Sequence, residues 1–208
     1  MLDSLRFRRA LEVVAGVSPV PPVETMGELL ELLVRWNRRF NLVSRASDPA
    51  DLLADALVDA AALTRIVQAG DGEVADLGAG AGLVSTAALL LRPDLDLVLI
   101  EANAHKTGFL HRVSAMLAAR GAGGFRVLEG RLEELEEGPR WRAAFSRATW
   151  TPDEGWRKAR RLLKRGGAYI ALAGPRSARP AGWNRERYAD LFPDPKDYSS
   201  RVLLWRKK

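Results

Sequence analysis

The sequence predicts an α/β fold, a doubly wound and mostly parallel sheet with a closing antiparallel strand, preceded by a helical extension. Three observations lead there. Up to about residue 70 the apolar positions recur only at helical period; from Glu73 onward short apolar runs alternate with helical stretches; and the final run, Arg201–Trp205, has no long helix before it. Such alternation is the pattern of parallel strands joined by crossover helices, and a strand reached without a crossover pairs antiparallel. A chain of 208 residues, 47% of them hydrophobic, can bury a full core as one compact unit. Its expected parts are a helical extension over 1–70 and a Rossmann-like domain over 71–208.

An opening helix is expected to end at Ser18-Pro19-Val20-Pro21-Pro22, where prolines stiffen the chain and withhold N–H donors. Thr25 and Glu28 have the spacing of a capping box, and Leu29, Leu30, Leu32, Leu33 and Trp36 follow at helical period, so a helix is predicted over Met26–Arg38. Asp48 before Pro49 starts a third, whose apolar face Leu52, Leu53, Ala56, Leu57, Ala60, Leu63 and Val67 runs to a stop at Ala69-Gly70. Strands are expected at Val74–Leu77, Leu97–Ile100, Phe125–Leu128, Ala143–Ser146 and Ala168–Leu172. The helices between them, Gly82–Leu91, Ala104–Arg120 and Pro152–Lys164, should close at Pro93, Gly121 and Gly166-Gly167.

Composition narrows the chemistry. The chain has no cysteine and only His105 and His111, which removes disulfides, thiolate nucleophiles and cysteine or histidine metal cages together; no metal is expected. No apolar run approaches the roughly 20 residues of a membrane span. Met1 to Val20 interleaves Arg6, Arg8 and Arg9 with Asp3 and Glu12 where a signal peptide would be uninterrupted, so a cytoplasmic protein is expected. The net charge of +6 is unevenly placed: from Arg157 to the end 15 Lys and Arg face 4 Asp and Glu. A basic final quarter fits either a polyanionic partner such as RNA or a solvated arginine-rich surface.

The first expected strand runs into Asp76-Leu77-Gly78-Ala79-Gly80-Ala81-Gly82 and then a helix. Glycines at alternate positions let a ligand approach the backbone, and the helix start offers free N–H groups. A dinucleotide fingerprint is spaced G-x-G-x-x-G for its pyrophosphate. Here Gly78, Gly80 and Gly82 are spaced G-x-G-x-G, the form typical of methyltransferases, whose cofactor carries no phosphate. Glu101 ends the second strand 19 positions after Gly82, where a carboxylate accepts two ribose hydroxyls. Glu133, after Gly130-Arg131-Leu132, is placed either to meet an adenine ring or to belong to the acidic run Glu133, Glu134, Glu136 and Glu137. Arg147, in Ser146-Arg147-Ala148 beyond the fourth strand, stands at the carboxyl edge where open sheets build active sites. It is a candidate for a cofactor carboxylate or an RNA phosphate, and otherwise a surface arginine.

With these residues in place the sequence resembles the small-subunit (16S) ribosomal RNA guanine-N7 methyltransferases, the glucose-inhibited division protein B family. Trp36-Asn37 with Phe40-Asn41-Leu42 resembles the family's W-N-x-x-x-N-L segment, and Asp76 to Leu83 its D-x-G-x-G-x-G-[FL] loop. Ile100-Glu101, Phe109-Leu110, Arg131-Leu132-Glu133-Glu134 and Ser146-Arg147-Ala148 follow in register. The resemblance implies a class I methyltransferase fold binding S-adenosyl-L-methionine through Gly78, Leu83, Leu132, Glu133 and Arg147. It also implies ribosomal RNA or the small ribosomal subunit as substrate. Three positions depart from the family pattern: Ala56 replaces a histidine, Val84 a proline and Ala173 a lysine.

Guanine N7 carries an in-plane lone pair and no proton, so methyl transfer there needs placement and no general base. Phosphates would be held by Arg35, Arg38, Arg39 and Arg45, and by Arg157, Lys158, Arg160 and Arg161. Trp36 and Trp150 are candidate platforms for an extruded base, a core position being the favoured reading of Trp36. A monomer is expected. The rival readings are a methyltransferase-fold RNA-binding protein that has lost catalysis, a small-molecule methyltransferase, and an NAD-dependent oxidoreductase, against which the glycine spacing argues.

Overall fold

The computed structural model describes residues 2, 4–67, 72–138, 140–174 and 177–208; the helix stop expected at Ala69-Gly70 lies outside them. Three helices open the chain, α1 (Leu5–Ala15), α2 (Val23–Phe40) and α3 (Pro49–Ile66). The capping box expected from Thr25 and Glu28 does not form. Helix α2 instead starts directly after Pro22, Thr25 is buried within it, and Glu28 pairs with Arg120, just past the end of a later helix. At α3 the reading holds: Asp48 accepts from the Ala50 amide at 2.7 Å with Pro49 in the first turn. Helix α3 is buried nearly all round, Ala54, Ala56, Ala60, Ala61 and Ala62 letting other helices approach closely.

The remainder alternates as expected: β1 (Glu73–Leu77), α4 (Leu83–Leu91), β2 (Asp96–Glu101), α5 (Ala104–Ala119), β3 (Phe125–Glu129), β4 (Trp141–Arg147), α6 (Pro152–Ala159) and β5 (Leu163–Ala173). Then come β6 (Asn184–Arg187), the single-turn α7 (Tyr188–Leu191) and β7 (Val202–Lys207). The sheet order is β3-β2-β1-β4-β5-β7-β6. The first five are parallel, and β7 returns antiparallel to β5 with Ile170 opposite Trp205. Strand β6, which the sequence did not announce, pairs antiparallel on the outer side of β7.

Helix α6 corrects a second expectation. It ends at Ala159, five residues short of Lys164, because Leu162 and Leu163 turn into the core beneath the sheet. Gly166-Gly167 therefore sits inside β5 and stops no helix; a Cβ on Gly167 would lie 2.9 Å from the Arg142 and Lys164 carbonyls, beside a register shift between β4 and β5.

Strand alternation splits the core into two layers. Val74, Leu97, Leu99, Phe145 and Ile170 face the helices α1 to α5; Ala75, Leu77, Val98, Ile100 and Tyr169 face α6 with Trp141, Trp156 and Trp183. Among the described residues no helix is long and apolar enough to cross a membrane, and no three His, Cys, Asp or Glu group as metal ligands.

In the second layer α6 comes so close to β5 that a Cβ on Gly155 would overlap the Tyr169 hydroxyl and stand 2.5 Å from its ring. Gly155→Ala gains up to about 1 kcal/mol of helix propensity, but forcing buried Tyr169 aside costs about 1–3 kcal/mol. The variant is expected to unfold at lower urea concentration than the wild type.

Candidate active site

In open sheets ligands bind outside the carboxyl ends of strands where the winding reverses. Here the chain leaves β1 towards β2 and β3 and returns on the other side as β4, so the reversal lies between β1 and β4. A cleft of about 860 Å³ opens there.

Its floor is the turn from β1 into α4. Gly78, Gly80 and Gly82 all take left-handed φ, +72°, +60° and +63°, but their surroundings differ. A Cβ on Gly78 would lie 2.6 Å from the Thr149 methyl, and one on Gly82 would overlap Leu110. A Cβ on Gly80 would meet nothing within 4 Å, although Gly80 lines the cleft. Gly78 and Gly82 thus let protein pack against protein; Gly80 alone keeps a side chain out of the space where a ligand would lie. The Gly78 and Ala79 amides both donate to the Ile100 carbonyl, at 2.9 and 3.0 Å, which ties the turn to β2.

Glu101 completes that tie. Its Oε2 accepts from the Gly80 amide at 2.8 Å and its Oε1 from the Asn103 amide at 2.9 Å. An ionised carboxylate offers about four acceptor positions, so about half of them stay open at the cleft wall.

Asp76, one strand residue before the glycines, also lines the cleft and is fully buried. Burial pushes its carboxyl up to about 7, with the Glu101 charge adding to that; the hydrogen bond from the Ser85 hydroxyl, 2.5 Å, and the Arg147 charge oppose it. Asp76 belongs to the glycine motif, whose spacing does not single it out as a site residue. Its place at the carboxyl end of β1 is the signal that could have found it.

At the opposite end the Leu132–Glu134 turn forms the wall. Leu132 is buried, and the carbonyls of Leu132 and Leu135 accept from the two terminal nitrogens of Arg161. Glu133 pairs with Lys158, which with other nearby groups holds its carboxyl below the usual range. Arg147 reaches the cleft with its guanidinium braced by Asp59, Nε to Oδ2 3.0 Å, and more distantly by Asp55 at 3.8 Å.

Of the expected cofactor residues, Gly78, Gly80, Leu83, Glu101, Leu132, Glu133 and Arg147 line one cleft, and Gly82 stands behind it. The roof was missed. Leu42, Val43, Ser44 and Ser47 cover the cleft in a loop that the Asn37 side chain folds by accepting from the Val43 amide at 3.0 Å. The Trp36-Asn37 and Asn41-Leu42 motif carried that information, since Asn41 ends α2 in the left-handed conformation.

Arg35, Arg38 and Arg39 are exposed on α2, Arg45 on the roof loop, and Arg157 and Arg160 on or just after α6. Lys158 and Arg161 are engaged inside the molecule, with Glu133 and the two carbonyls above. Trp36 packs edge-on against Phe109, 5.7 Å between ring centroids. Ala56 is fully buried in the helical layer, Val84 lines the cleft, and Ala173 borders a second cavity beside it.

This sheet order, with a G-x-G-x-G turn tied to an acid at the end of β2, defines a class I methyltransferase. Two solved chains described as O-methyltransferases share the fold. One, from Agrobacterium tumefaciens, has a TM-score of 0.52 at 20% identity, covering 74% of this chain and 79% of the other. The second, from Klebsiella pneumoniae, has 0.53 at 16%, covering 86% and 90%. The chain belongs to the GidB family, rRNA small subunit methyltransferase G, which matches residues 23–190. It is 34% identical over 169 residues to ribosomal RNA small subunit methyltransferase G of Xanthomonas campestris pv. campestris strain B100, covering 79% of this chain and 76% of that one. To the protein of the same name from Halorhodospira halophila it is 35% identical over 160 residues, covering 75% and 71%.

Gly80→Leu is expected to abolish S-adenosylmethionine binding in calorimetry while the circular-dichroism spectrum is retained, since the side chain enters the cleft and not the core; unchanged affinity would place the ligand elsewhere.

Asp76 also sets a pH dependence. A carboxyl that ionises less readily folded than unfolded binds more protons in the folded chain. Its stabilising contribution is full below the unfolded value of 3.8 and is lost as pH rises through about 7. Asp76→Asn is expected to flatten the fall in urea midpoint between pH 4 and pH 8; an unaltered slope would refute this origin.

Proposed function

We propose that this protein methylates small-subunit ribosomal RNA, using S-adenosylmethionine as donor and guanine N7 as acceptor. The observation that carries the reading is the cradle at the β1–α4 turn, where Gly80 leaves its space open and Glu101 holds the turn from behind. Gly80 admits the donor against the backbone, and the open acceptor positions of Glu101 hold its ribose hydroxyls. Leu132 and the turn after it bound the adenine, with Arg161 fixing that turn. The bound sulfonium supplies a methyl group electrophilic enough for an uncharged nitrogen. Glu101, together with Asp76 when ionised, makes this end of the cleft negative, which suits a cationic ligand. Leu83, Val84 and Leu42 keep water from the reacting centre.

No residue has to remove a proton, because N7 has none; the task of the chain is alignment. Arg147, 28% exposed and braced by Asp59, keeps donors for the donor's carboxylate or for a phosphate. Arg35, Arg38, Arg39 and Arg45, with Arg157 and Arg160, hold the RNA backbone, while Lys158 and Arg161 serve the cleft wall. The protein works in the cytoplasm as a monomer without a metal. The loss of a histidine at Ala56 favours no second reading, since that position is buried in the helical layer and does not line the cleft.

Tritium transfer from S-adenosylmethionine to unmethylated small ribosomal subunits or their free RNA, followed by nucleoside analysis, is expected to yield 7-methylguanosine. Donor binding without transfer to any RNA would instead favour a non-catalytic RNA-binding protein. RNA affinity is expected to fall with salt, and Arg157→Gln with Arg160→Gln to lower the log–log slope by about two. Arg161→Gln is expected to weaken donor binding and leave that slope unchanged.

A further inference from the structure

Beside the cofactor cleft lies a second cavity of about 720 Å³, and the two share one rim, Ala148-Thr149-Trp150. The rim continues β4 and holds Ala148 at φ +54°, a left-handed conformation that costs energy for any residue with a Cβ and recurs where ligands are positioned. The start of α6 lines this second cavity as well, with Asp153 and Glu154. Trp150 borders both cavities, with Lys158 Nζ 5.5 Å from its ring centroid. The two carboxylates are committed differently. Glu154 Oε2 is taken by the amide and hydroxyl of Thr151 at 3.0 and 2.7 Å. Asp153 Oδ1 accepts from the indole nitrogen of buried Trp183 at 3.0 Å, which fixes the carboxylate; among the described residues its other acceptor positions, both of those on Oδ2 included, have no partner.

Resting on the methyl-transfer reading above, we propose that this second cavity is the acceptor-base subsite, with Trp150 as its stacking platform and Asp153 as the residue that selects guanine. Guanine alone presents two neighbouring donors, N1–H and the N2 amino group, on its pairing edge, a pattern a single fixed carboxylate accepts. Adenine and cytosine put an acceptor beside their amino group, and uracil flanks its one donor with acceptors. N7 lies on the guanine edge away from N1. Gripping the pairing edge at the α6 wall therefore presents N7 to the rest of the cavity, whose shared rim opens on the donor.

The same contact assists the reaction. N7 forms the new carbon bond with its own lone pair, the departing sulfur keeps the electron pair of the bond it loses, and no proton leaves. Positive charge therefore arrives on the purine and makes N1–H a stronger donor. A carboxylate placed there binds the transition state more tightly than the ground state.

Asp153→Asn is the discriminating variant, since it keeps an oxygen for Trp183 but sets an amino group against the guanine donors. With S-adenosylhomocysteine saturating the first cleft, calorimetry is expected to show guanosine 5′-monophosphate binding that weakens about 10- to 100-fold in the variant. Adenosine 5′-monophosphate is expected to bind both proteins weakly. Transfer to unmethylated small subunits is expected to lose kcat by about tenfold or more, with S-adenosylhomocysteine affinity and melting temperature unchanged. Equal guanosine monophosphate affinity, or transfer that the variant leaves untouched, overturns the subsite alone. A parallel loss of S-adenosylhomocysteine affinity marks Asp153 as a structural partner of Trp183 and also overturns it. Wild-type protein that methylates no RNA overturns the methyl-transfer reading, and this assignment with it.

Discussion

Asp55 and Asp59, one turn apart on α3, hold three guanidiniums from three other parts of the chain. Asp59 accepts from Arg147 at the end of β4, from Arg201 before β7 and from the Tyr188 hydroxyl of α7, at 3.0, 3.0 and 2.8 Å. Asp55 pairs with Arg6 of α1 and Arg201, both at 2.6 Å. Desolvation opposes the Arg201 charge, yet Asp59 and Asp55 leave it held above its ordinary value; Tyr188, buried beside Asp59, is raised far above the phenol range. Such a cluster adds little net stability, because removing charges from water costs about what their pairing returns. Its effect is on geometry. Breaking one member strands the others in low dielectric, so the helical extension and the carboxyl edge of the sheet have one acceptable relative placement. That placement brings Arg147 into the cleft and sets Leu52 of α3 in its wall.

The turn from β1 into α4 follows from a second constraint, a division of labour among three glycines that look alike in sequence. Two are small because protein atoms press on them, Thr149 on Gly78 and Leu110 on Gly82, and one is small because nothing does. The member that faces the open cleft is identified by empty space, which no spacing rule encodes.

Much of the fold was legible because the buried strands carry their own pattern. Runs such as Leu97–Ile100 are apolar on both faces and bounded by breakers, so strand position and parallel pairing could be read directly, while the returning β7 rested on the weaker alternation of Arg201–Trp205 and the lack of a long helix before it. Strand β6 could not. Asn184–Arg187 is an edge strand made of charged and polar residues, which blunts further pairing and also erases the apolar signal. The early end of α6 was hidden for a different reason: Leu162 and Leu163 match a helical face but plug the second core layer after a turn. Along the cleft, the lining residues on the main motifs were visible, whereas Asp76, the roof loop and the internal contacts of Lys158 and Arg161 depend on contacts between distant segments. A basic residue does not announce in sequence whether it faces solvent or a carbonyl.

The tie between Glu101 and the Gly80 amide is made by the protein alone, before any ligand contributes. The entropy of ordering that turn is therefore met during folding and not at each encounter. On the reading proposed above, the backbone of a ready-made cradle fits the demethylated product as well as the fresh donor, and only the methyl group and charge at sulfur separate the two. Telling one from the other rests on a single methyl group and one unit of charge at sulfur, so spent donor competes for the same seat unless the electrostatics around Asp76 favour its exit.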